Sequence, residues 1–205
     1  MALLRFLSRT LLLAAALLPA HAEPLASLIL VAKPGLADPN FRETVVLVTR
    51  TPEAQTVGVI LNRPTEVKLA DLWRTPAASG YTGALFFGGP VMRGTIIALW
   101  RSDKAPEAPA FEVLEHVYLS MHPKSIEALF GGAAPEYRLF AGFSGWGPRQ
   151  LEGEIEREGW YVLPAREELL FRKDTEGLWR ELVERATGAR AGRGPRRDAV
   201  AILAQ

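Results

Sequence analysis

A serine in the second half of the chain comes nearest to a recognisable catalytic motif. Ser144 lies in the run Gly142-Phe143-Ser144-Gly145-Trp146, which almost matches the G-x-S-x-G nucleophile elbow. Trp146 occupies the last glycine position, where the sharp strand-to-helix turn needs a residue without a side chain. A serine triad also needs a histidine base, and beyond residue 22 the chain contains only His116 and His122. The motif therefore predicts a turn at the end of a strand, with a packed tryptophan, rather than a nucleophile.

Four glutamates alternate with other residues in the segment after Pro148. Paired carboxylates can act as general acid and base or hold a hard metal ion, so a carboxylate-dependent hydrolase using Glu152 or Glu154 is one alternative function. Leu151 and Ile155 have the i, i+4 spacing of an inward helix face, which turns most of the carboxylates toward water. A solvated helix face is the favoured interpretation. The four residues are Glu152, Glu154, Glu156 and Glu158.

Two short motifs carry groups that bind anions in other proteins. Gly88-Gly89-Pro90 follows a predicted strand, but phosphate-cradling loops lead into a helix and the next predicted element here is a strand. Asn62-Arg63-Pro64 places an amide and a guanidinium at a strand end, which suits a carboxylate or a backbone. A structural turn is the favoured interpretation of both. Histidine clusters and cysteines are absent from the sequence, so we expect neither a metal nor another cofactor.

The elements that must position these residues follow from the apolar pattern. Strands are predicted at 28–31, 44–49, 57–61, 84–87, 95–100, 113–119, 137–143 and 160–163. Helices are predicted around 69–73, 126–130, 148–159, 168–171 and 178–186. Because strands dominate the first half and helices the end, the pattern favours an α+β fold over a doubly wound parallel sheet.

The first 22 residues have the three-part pattern of a secretory signal peptide. Arg5 and Arg9 provide the positive charge, residues 11–18 form an apolar run, and Ala20-His21-Ala22 supplies the small residues of a cleavage site. The apolar run is too short for a membrane-spanning helix, which needs about 20 apolar residues. We therefore expect residues 1–22 to be cleaved, the mature chain to begin at Glu23, and the protein to be exported to the periplasm with no membrane span.

Composition restricts the partners of the remaining chain. The signal peptide holds two of the 24 basic residues and none of the 23 acidic residues, so the mature chain has a formal net charge of −1. A chain so close to neutral lacks the electrostatic footprint of a nucleic-acid-binding protein, and we expect no nucleic acid partner. Residues 23–188 are expected to form one domain. Residues 189–205 are expected to be a flexible tail containing four arginines.

Several sequence blocks together resemble the YqgE/AlgH family of bacterial proteins. The first block runs from Leu30 to Pro34 and continues with 38–45, and Gly58-Val59-Ile60-Leu61-Asn62-Arg63-Pro64 matches the next. Gly88-Gly89-Pro90-Val91 is similar to the central turn of the family. The most distinctive stretch is the Ser144 motif followed by Gln150-Leu151-Glu152, Glu154-Ile155 and Trp160, and the end is similar at Leu170-Phe171 and Trp179. The blocks occur in the right order over residues 25–188, so the set is specific although any one block is not.

The resemblance implies an α+β fold in which a bent, mostly antiparallel sheet forms a pseudo-barrel with packed helices. Members are widely labelled transcriptional regulators, through a genetic link to alginate production, and the resemblance supplies no catalytic residues. This chain departs from the family in two respects. Members typically lack a signal peptide and are expected in the cytosol, and they often have a histidine at the end of the strand after the Gly-Gly-Pro turn. The corresponding strand here, 95–100, has none.

These observations lead to a non-enzymatic binding or regulatory module as the leading hypothesis, with a protein or a small ligand as the partner. The rivals are the hydrolase described above and a transcriptional regulator that acts indirectly or by binding DNA. The sequence contains no helix-turn-helix signal or basic stripe to support DNA binding. The predicted binding surface consists of Asn62, Arg63, Gly88, Gly89, Ser144, Trp146, Gln150, Glu152 and Glu154.

Overall fold

The computed structural model describes residues 27–51, 53–132 and 134–190, and within them nine strands form one curled sheet. Along the sheet the strands follow the order β6-β7-β5-β8-β3-β2-β1-β9, and β4 pairs with β8. Every pairing is antiparallel except that of β4 with β8. The strands are β1 (Leu28–Ala32), β2 (Val45–Arg50), β3 (Thr56–Ile60), β4 (Leu85–Phe87), β5 (Val91–Arg101), β6 (Phe111–Leu114), β7 (Val117–Ser120), β8 (Tyr137–Trp146) and β9 (Trp160–Pro164).

Six helices in the same ranges pack around this sheet. Short helices α1 and α2 follow β3, α3 follows β7, α4 lies between β8 and β9, and α5 and α6 close the described chain. Their bounds are α1 (Leu69–Leu72), α2 (Pro76–Ser79), α3 (Pro123–Phe130), α4 (Gln150–Glu156), α5 (Glu167–Leu170) and α6 (Leu178–Arg190). The α+β fold with a bent, mostly antiparallel sheet is confirmed. α6 extends two residues beyond the predicted end of the domain at 188.

Both faces of the sheet are buried, which explains the unbroken apolar runs of its central strands. In β1, Ile29 and Val31 face the inner core, whereas Leu28 and Leu30 face the outer side. The inner core also collects side chains from β2, β3, β5, β6, β7 and β8, so the sheet curls around it as a pseudo-barrel. α5 and α6 add leucines to this inner core. On the outer face, α4 covers β1 to β3, and α1 to α3 cover β5 and the first half of β8.

Strand β8 changes its neighbour at Gly142, and this change bends the sheet. Leu139, Phe140 and Ala141 pair with β4, whereas residues 144–146 pair with β3. Gly142 has φ of 71°, and the facing strand β5 shifts its register between Val91 and Ile96. Such a bulge bends a strand and increases its local twist. A glycine suits the bend because a side chain at positive φ is strained and because a Cβ here would lie 2.7 Å from the carbonyl oxygens of Gly89 and Val91.

The predicted strand at 113–119 is wrong, because this segment forms a hairpin. β6 and β7 pair antiparallel across a turn at Glu115-His116, and His116 has φ of 61°. The Glu112 side chain accepts a hydrogen bond of 3.0 Å from the His116 backbone N–H, which closes the turn. The sequence lacks the glycine or asparagine that usually marks such a turn. His116 therefore lies in an exposed turn rather than in a strand.

One buried arginine joins three parts of the fold. Arg138 of β8 donates to the carbonyl oxygens of Leu61 at 2.6 Å and Leu170 at 2.9 Å, which follow β3 and end α5. Its guanidinium carbon lies 3.9 Å from the centroid of the Phe86 ring. Burial lowers the pKa of Arg138 to about 10, because removal from water disfavours the charged form. Burial likewise raises the pKa of the neighbouring Tyr81 to about 12.

Candidate functional site

The Ser144 hydroxyl is fully buried and has a structural partner. It donates a hydrogen bond of 3.1 Å to the Gly88 carbonyl oxygen, so it holds the Gly88-Gly89 turn against β8. The turn packs backbone to backbone: a Cβ on Gly88 would collide with the Gly142 carbonyl, and one on Gly89 with the Phe143 carbonyl. Ser144 lies within β8 rather than in a turn after it. This geometry explains the serine and the glycines without a nucleophile or a phosphate.

Glu154 is the acceptor for three side-chain donors. Its carboxylate accepts hydrogen bonds from the indole N–H of Trp146 at 3.1 Å, the indole N–H of Trp160 at 3.0 Å and the amide of Gln150 at 2.9 Å. Gln150 in turn accepts from the backbone N–H of Gly147. Buried indole N–H groups need a partner, and one carboxylate serves both. Glu154 is therefore half-buried and bonded within the fold, whereas Glu156 and Glu158 of the predicted solvated face are exposed.

Helix α4 itself begins later than predicted. Pro148 precedes the helix, which starts at Gln150, and Arg149 is the residue before its first turn, with φ of 60°. Leu151 is buried and Ile155 packs against the outer core, as their spacing predicts. Glu152 is half-buried, and its carboxylate lies 4.0 Å from the guanidinium of Arg50.

Asn62 and Arg63 bind the backbone of the loop that precedes β2. Asn62 accepts from the Val45 N–H at 2.8 Å and donates to the Glu43 carbonyl at 2.9 Å. Arg63 donates to the carbonyl oxygens of Asn40 at 2.7 Å and Arg42 at 2.9 Å. Of the two ligands that the sequence suggested for this pair, a carboxylate or a backbone, the structure shows the backbone.

The same loop links this pair to the glutamate network. Phe41 lies between Asn40 and Arg42 and packs on both indoles, stacked on Trp146 at 5.8 Å and edge-on to Trp160 at 5.6 Å between ring centroids. Loop 38–44 thus brings Asn62 and Arg63 near the network of Glu154, whereas Ser144, Gly88 and Gly89 contact one another. The partners found for Glu152 and Glu154 are Arg50, Gln150 and the two indoles rather than Asn62 or Arg63, so these contacts give the hydrolase no support.

Two arginines pack on Phe87 beside this loop, and a third, Arg42, lies close to Arg63. The guanidinium carbons of Arg63 and Arg93 lie 5.8 and 5.4 Å from the centroid of the Phe87 ring. Arg93 makes one long hydrogen bond of 3.4 Å to the Asn40 side chain. Burial lowers the pKa of Arg63, the positive charge of Arg42 lowers it further, and Glu43 opposes this with a smaller effect. Arg42 therefore lies close enough to Arg63 for the two charges to repel.

A pocket of about 150 Å³ opens on the inner side of the curled sheet. Hydrocarbon side chains from five strands form its walls. The turn between β2 and β3 and the end of β7 form its rim, where Glu53, Gln55 and Met121 are exposed. The wall residues are Val57, Val59, Ile97, Phe111, Leu119 and Phe143, and Thr51, Gly58 and Ser120 complete the lining.

The two buried hydroxyl groups that line this pocket are hydrogen-bonded to the backbone. Ser120 donates to the Pro109 carbonyl at 2.6 Å and accepts from the His122 N–H at 2.9 Å. Thr51 accepts from the Gln55 N–H at 3.3 Å. Neither is paired with a base, so the pocket offers apolar contact rather than a reacting group.

The sequence did not predict this pocket, since none of the residues of the predicted binding surface lines it. Its walls consist of ordinary strand residues whose alternation predicts only burial. The one available signal is Phe143, which lies next to Ser144 and therefore faces the opposite side of β8.

Within residues 27–51, 53–132 and 134–190, no cluster of histidine, aspartate and glutamate is arranged to hold a metal ion. No helix in those ranges has the length and apolar character required to cross a bilayer.

The fold and the packed motifs define a class of small α+β pseudo-barrel proteins, and comparisons identify the family. An AlgH-like family model matches residues 29–191. A UPF0301 protein from Thermobifida fusca is 34% identical over 172 residues, which cover 78% of this chain and 86% of the relative. One from Streptomyces avermitilis is 36% identical over 167 residues, covering 77% and 84%. The chain belongs to the AlgH-like family, the YqgE/AlgH family that its motifs resemble.

Two solved structures share the fold. The AlgH protein from Pseudomonas aeruginosa has a TM-score of 0.61 and 26% identity, with 84% of this chain and 89% of that chain covered. A protein from Corynebacterium diphtheriae has a TM-score of 0.62 and 22% identity, with 90% and 93% covered. The names of these relatives specify no reaction and no ligand.

Proposed function

We propose that this protein is a non-enzymatic binding module that takes a compact apolar group into the pocket of the curled sheet. The observation that carries the proposal is an open cavity of about 150 Å³ with hydrocarbon walls. An engineered cavity of about this size with similar walls stays dry and binds benzene. Mouths of β-barrels are also preferred ligand sites. The group can be a small molecule or one apolar side chain of a protein partner.

Polar groups at the rim complement the apolar interior. Glu53 and Gln55 are exposed on one side of the pocket, and their side chains are free to contact the solvent-facing part of a ligand. Such sites combine a hydrophobic wall with a few polar groups that orient the ligand. A single ring fills the interior, so a ring-sized probe is expected to bind with a Kd on the order of 0.1–1 mM.

Titration with benzene tests this proposal directly. Methyl-resolved NMR is expected to show saturable shifts at Val59, Ile97 and Leu119, because these methyl groups line the pocket. Val57→Phe is expected to abolish the shifts, since the larger ring occupies the space. Unchanged benzene affinity in Val57→Phe would contradict the proposal.

A matched control separates pocket filling from general damage. Val162→Phe makes the same exchange in β9, on a side chain that packs against the outer core rather than the pocket. It is expected to keep the benzene affinity of the original protein. If both variants lose binding equally, the effect comes from altered folding and the pocket assignment fails.

The rival functions have separate tests. A hydrolase that depends on Glu152 or Glu154 predicts an activity of the purified protein that Glu154→Gln removes. Direct transcriptional control predicts a salt-sensitive gel shift with DNA at physiological ionic strength.

We also propose that the chain acts outside the cytosol, on the basis of the signal-peptide pattern in residues 1–22. These residues lie outside the described ranges. Fractionation of cells followed by N-terminal sequencing is expected to give a periplasmic protein that begins at Glu23. A full-length cytosolic protein would contradict export and restore the regulator hypothesis.

A further inference from the structure

Arg63 and Arg93 at the Phe87 ring, together with Arg42, form an arginine cluster that makes no salt bridge within the described residues. Within the described ranges, none of Arg42, Arg63 and Arg93 has an acidic side chain within 4.0 Å. Arg63 is half-buried, and the repulsion it receives from Arg42 exceeds the attraction from Glu43. Clustered like charges near a protein surface repel one another, so this arrangement is stabilised by a negative partner.

The fold holds Arg63 in place before any ligand arrives. Arg63 is fixed by its two hydrogen bonds to loop carbonyls, and it packs with Arg93 around the single ring of Phe87. Arg42 and Arg93 are exposed, and among the described residues the bond from Arg93 to Asn40 is the one side-chain hydrogen bond found for either. Their guanidinium groups therefore present open donors of the kind that binds oxyanions well.

We propose that Arg42, Arg63 and Arg93 form a binding site for a doubly charged oxyanion, such as a phosphate monoester group. The site is separate from the apolar pocket, because none of the three arginines lines it. It also differs from a phosphate loop, since side-chain guanidiniums rather than the N–H groups of a helix start provide the donors. Loss of phosphate binding at the arginines and loss of benzene binding in the pocket are therefore independent results.

Inorganic phosphate is a suitable probe at about pH 8, where it is chiefly a dianion. The guanidinium Nε–Hε resonances of the three arginines are followed by NMR at a constant ionic strength of about 0.1 M. Saturable shifts confined to this cluster are expected. Acetate at the same ionic strength is expected to bind at least about fivefold more weakly, because it carries one charge.

Arg93→Gln tests the site without disturbing the fold. Arg93 is exposed and makes one long hydrogen bond, so its loss is expected to leave the thermal midpoint unchanged while it weakens phosphate binding on the order of tenfold. Arg180→Gln removes an exposed arginine of α6 and is expected to leave phosphate binding unchanged. Unsaturable shifts, equal affinity for acetate, or equal losses in the two variants would overturn the proposal.

Discussion

Replacement of Glu154 by alanine is expected to lower the free energy of unfolding by roughly 3–5 kcal/mol. The carboxylate is the partner of two indole N–H groups and one amide, and each buried donor left unpaired costs about 1–3 kcal/mol. Urea denaturation followed by tryptophan fluorescence and by far-UV circular dichroism measures the change. The fluorescence of the folded protein should change as well, because Trp146 and Trp160 lose the same negative charge.

Glu156→Ala is the matched control for this variant. Glu156 lies on the same helix, is exposed, and makes none of the hydrogen bonds or ion pairs found for the described residues. Its loss is expected to change the unfolding free energy by less than about 0.5 kcal/mol. A Glu154→Ala variant as stable as this control would show that the indoles find other partners and that Glu154 has no structural role.

Replacement of Arg138 by lysine is expected to cost roughly 3 kcal/mol or more, despite the retained charge. A lysine ammonium is a point charge that lacks the planar fork of the guanidinium. It therefore cannot reach the Leu61 and Leu170 carbonyls together while lying on the Phe86 ring. The charge stays buried with fewer hydrogen bonds, and breaking one side of such an arrangement is strongly destabilising.

A comparison with methionine identifies the cause of this loss. Arg138→Met also leaves the carbonyls without the guanidinium, but it removes the buried charge, so it is expected to be less destabilising than Arg138→Lys. Arg101→Lys in β5 alters an exposed ion pair with Glu167 and is expected to change stability by less than about 0.5 kcal/mol. If chemical denaturation shows lysine at 138 to be better tolerated than methionine, then the buried charge is not the source of the loss.

Most elements of the fold follow from local patterns in the sequence. β1 and β2 are continuous apolar runs because both of their faces are covered, and such runs are recognisable without a partner. The hairpin at His116 could not be predicted, because its turn uses a glutamate side chain instead of glycine or asparagine. Arg138 likewise gives no local signal, since its two carbonyl partners lie 77 and 32 residues away in the sequence.

The candidate sites were less predictable than the fold. The unusual residues, such as Ser144 and Glu154, attract attention because of their chemistry, yet the structure uses them as internal hydrogen-bond partners. The pocket consists of valine, isoleucine, leucine and phenylalanine, whose pattern is the same whether a core is filled or left open. Only the distances between strands decide between these outcomes, and a single sequence does not contain them.

The backbone-to-backbone packing of Gly88, Gly89 and Gly142 also affects how function can be transferred between relatives. A Cβ at any of these three positions meets backbone atoms, so any chain with this bend must keep them, whatever it binds. Their presence in a relative is evidence of a common shape and says little about a common ligand. Functional divergence among such proteins should instead be traced at the rim of the pocket and at the exposed Arg42 and Arg93, which take no part in this packing.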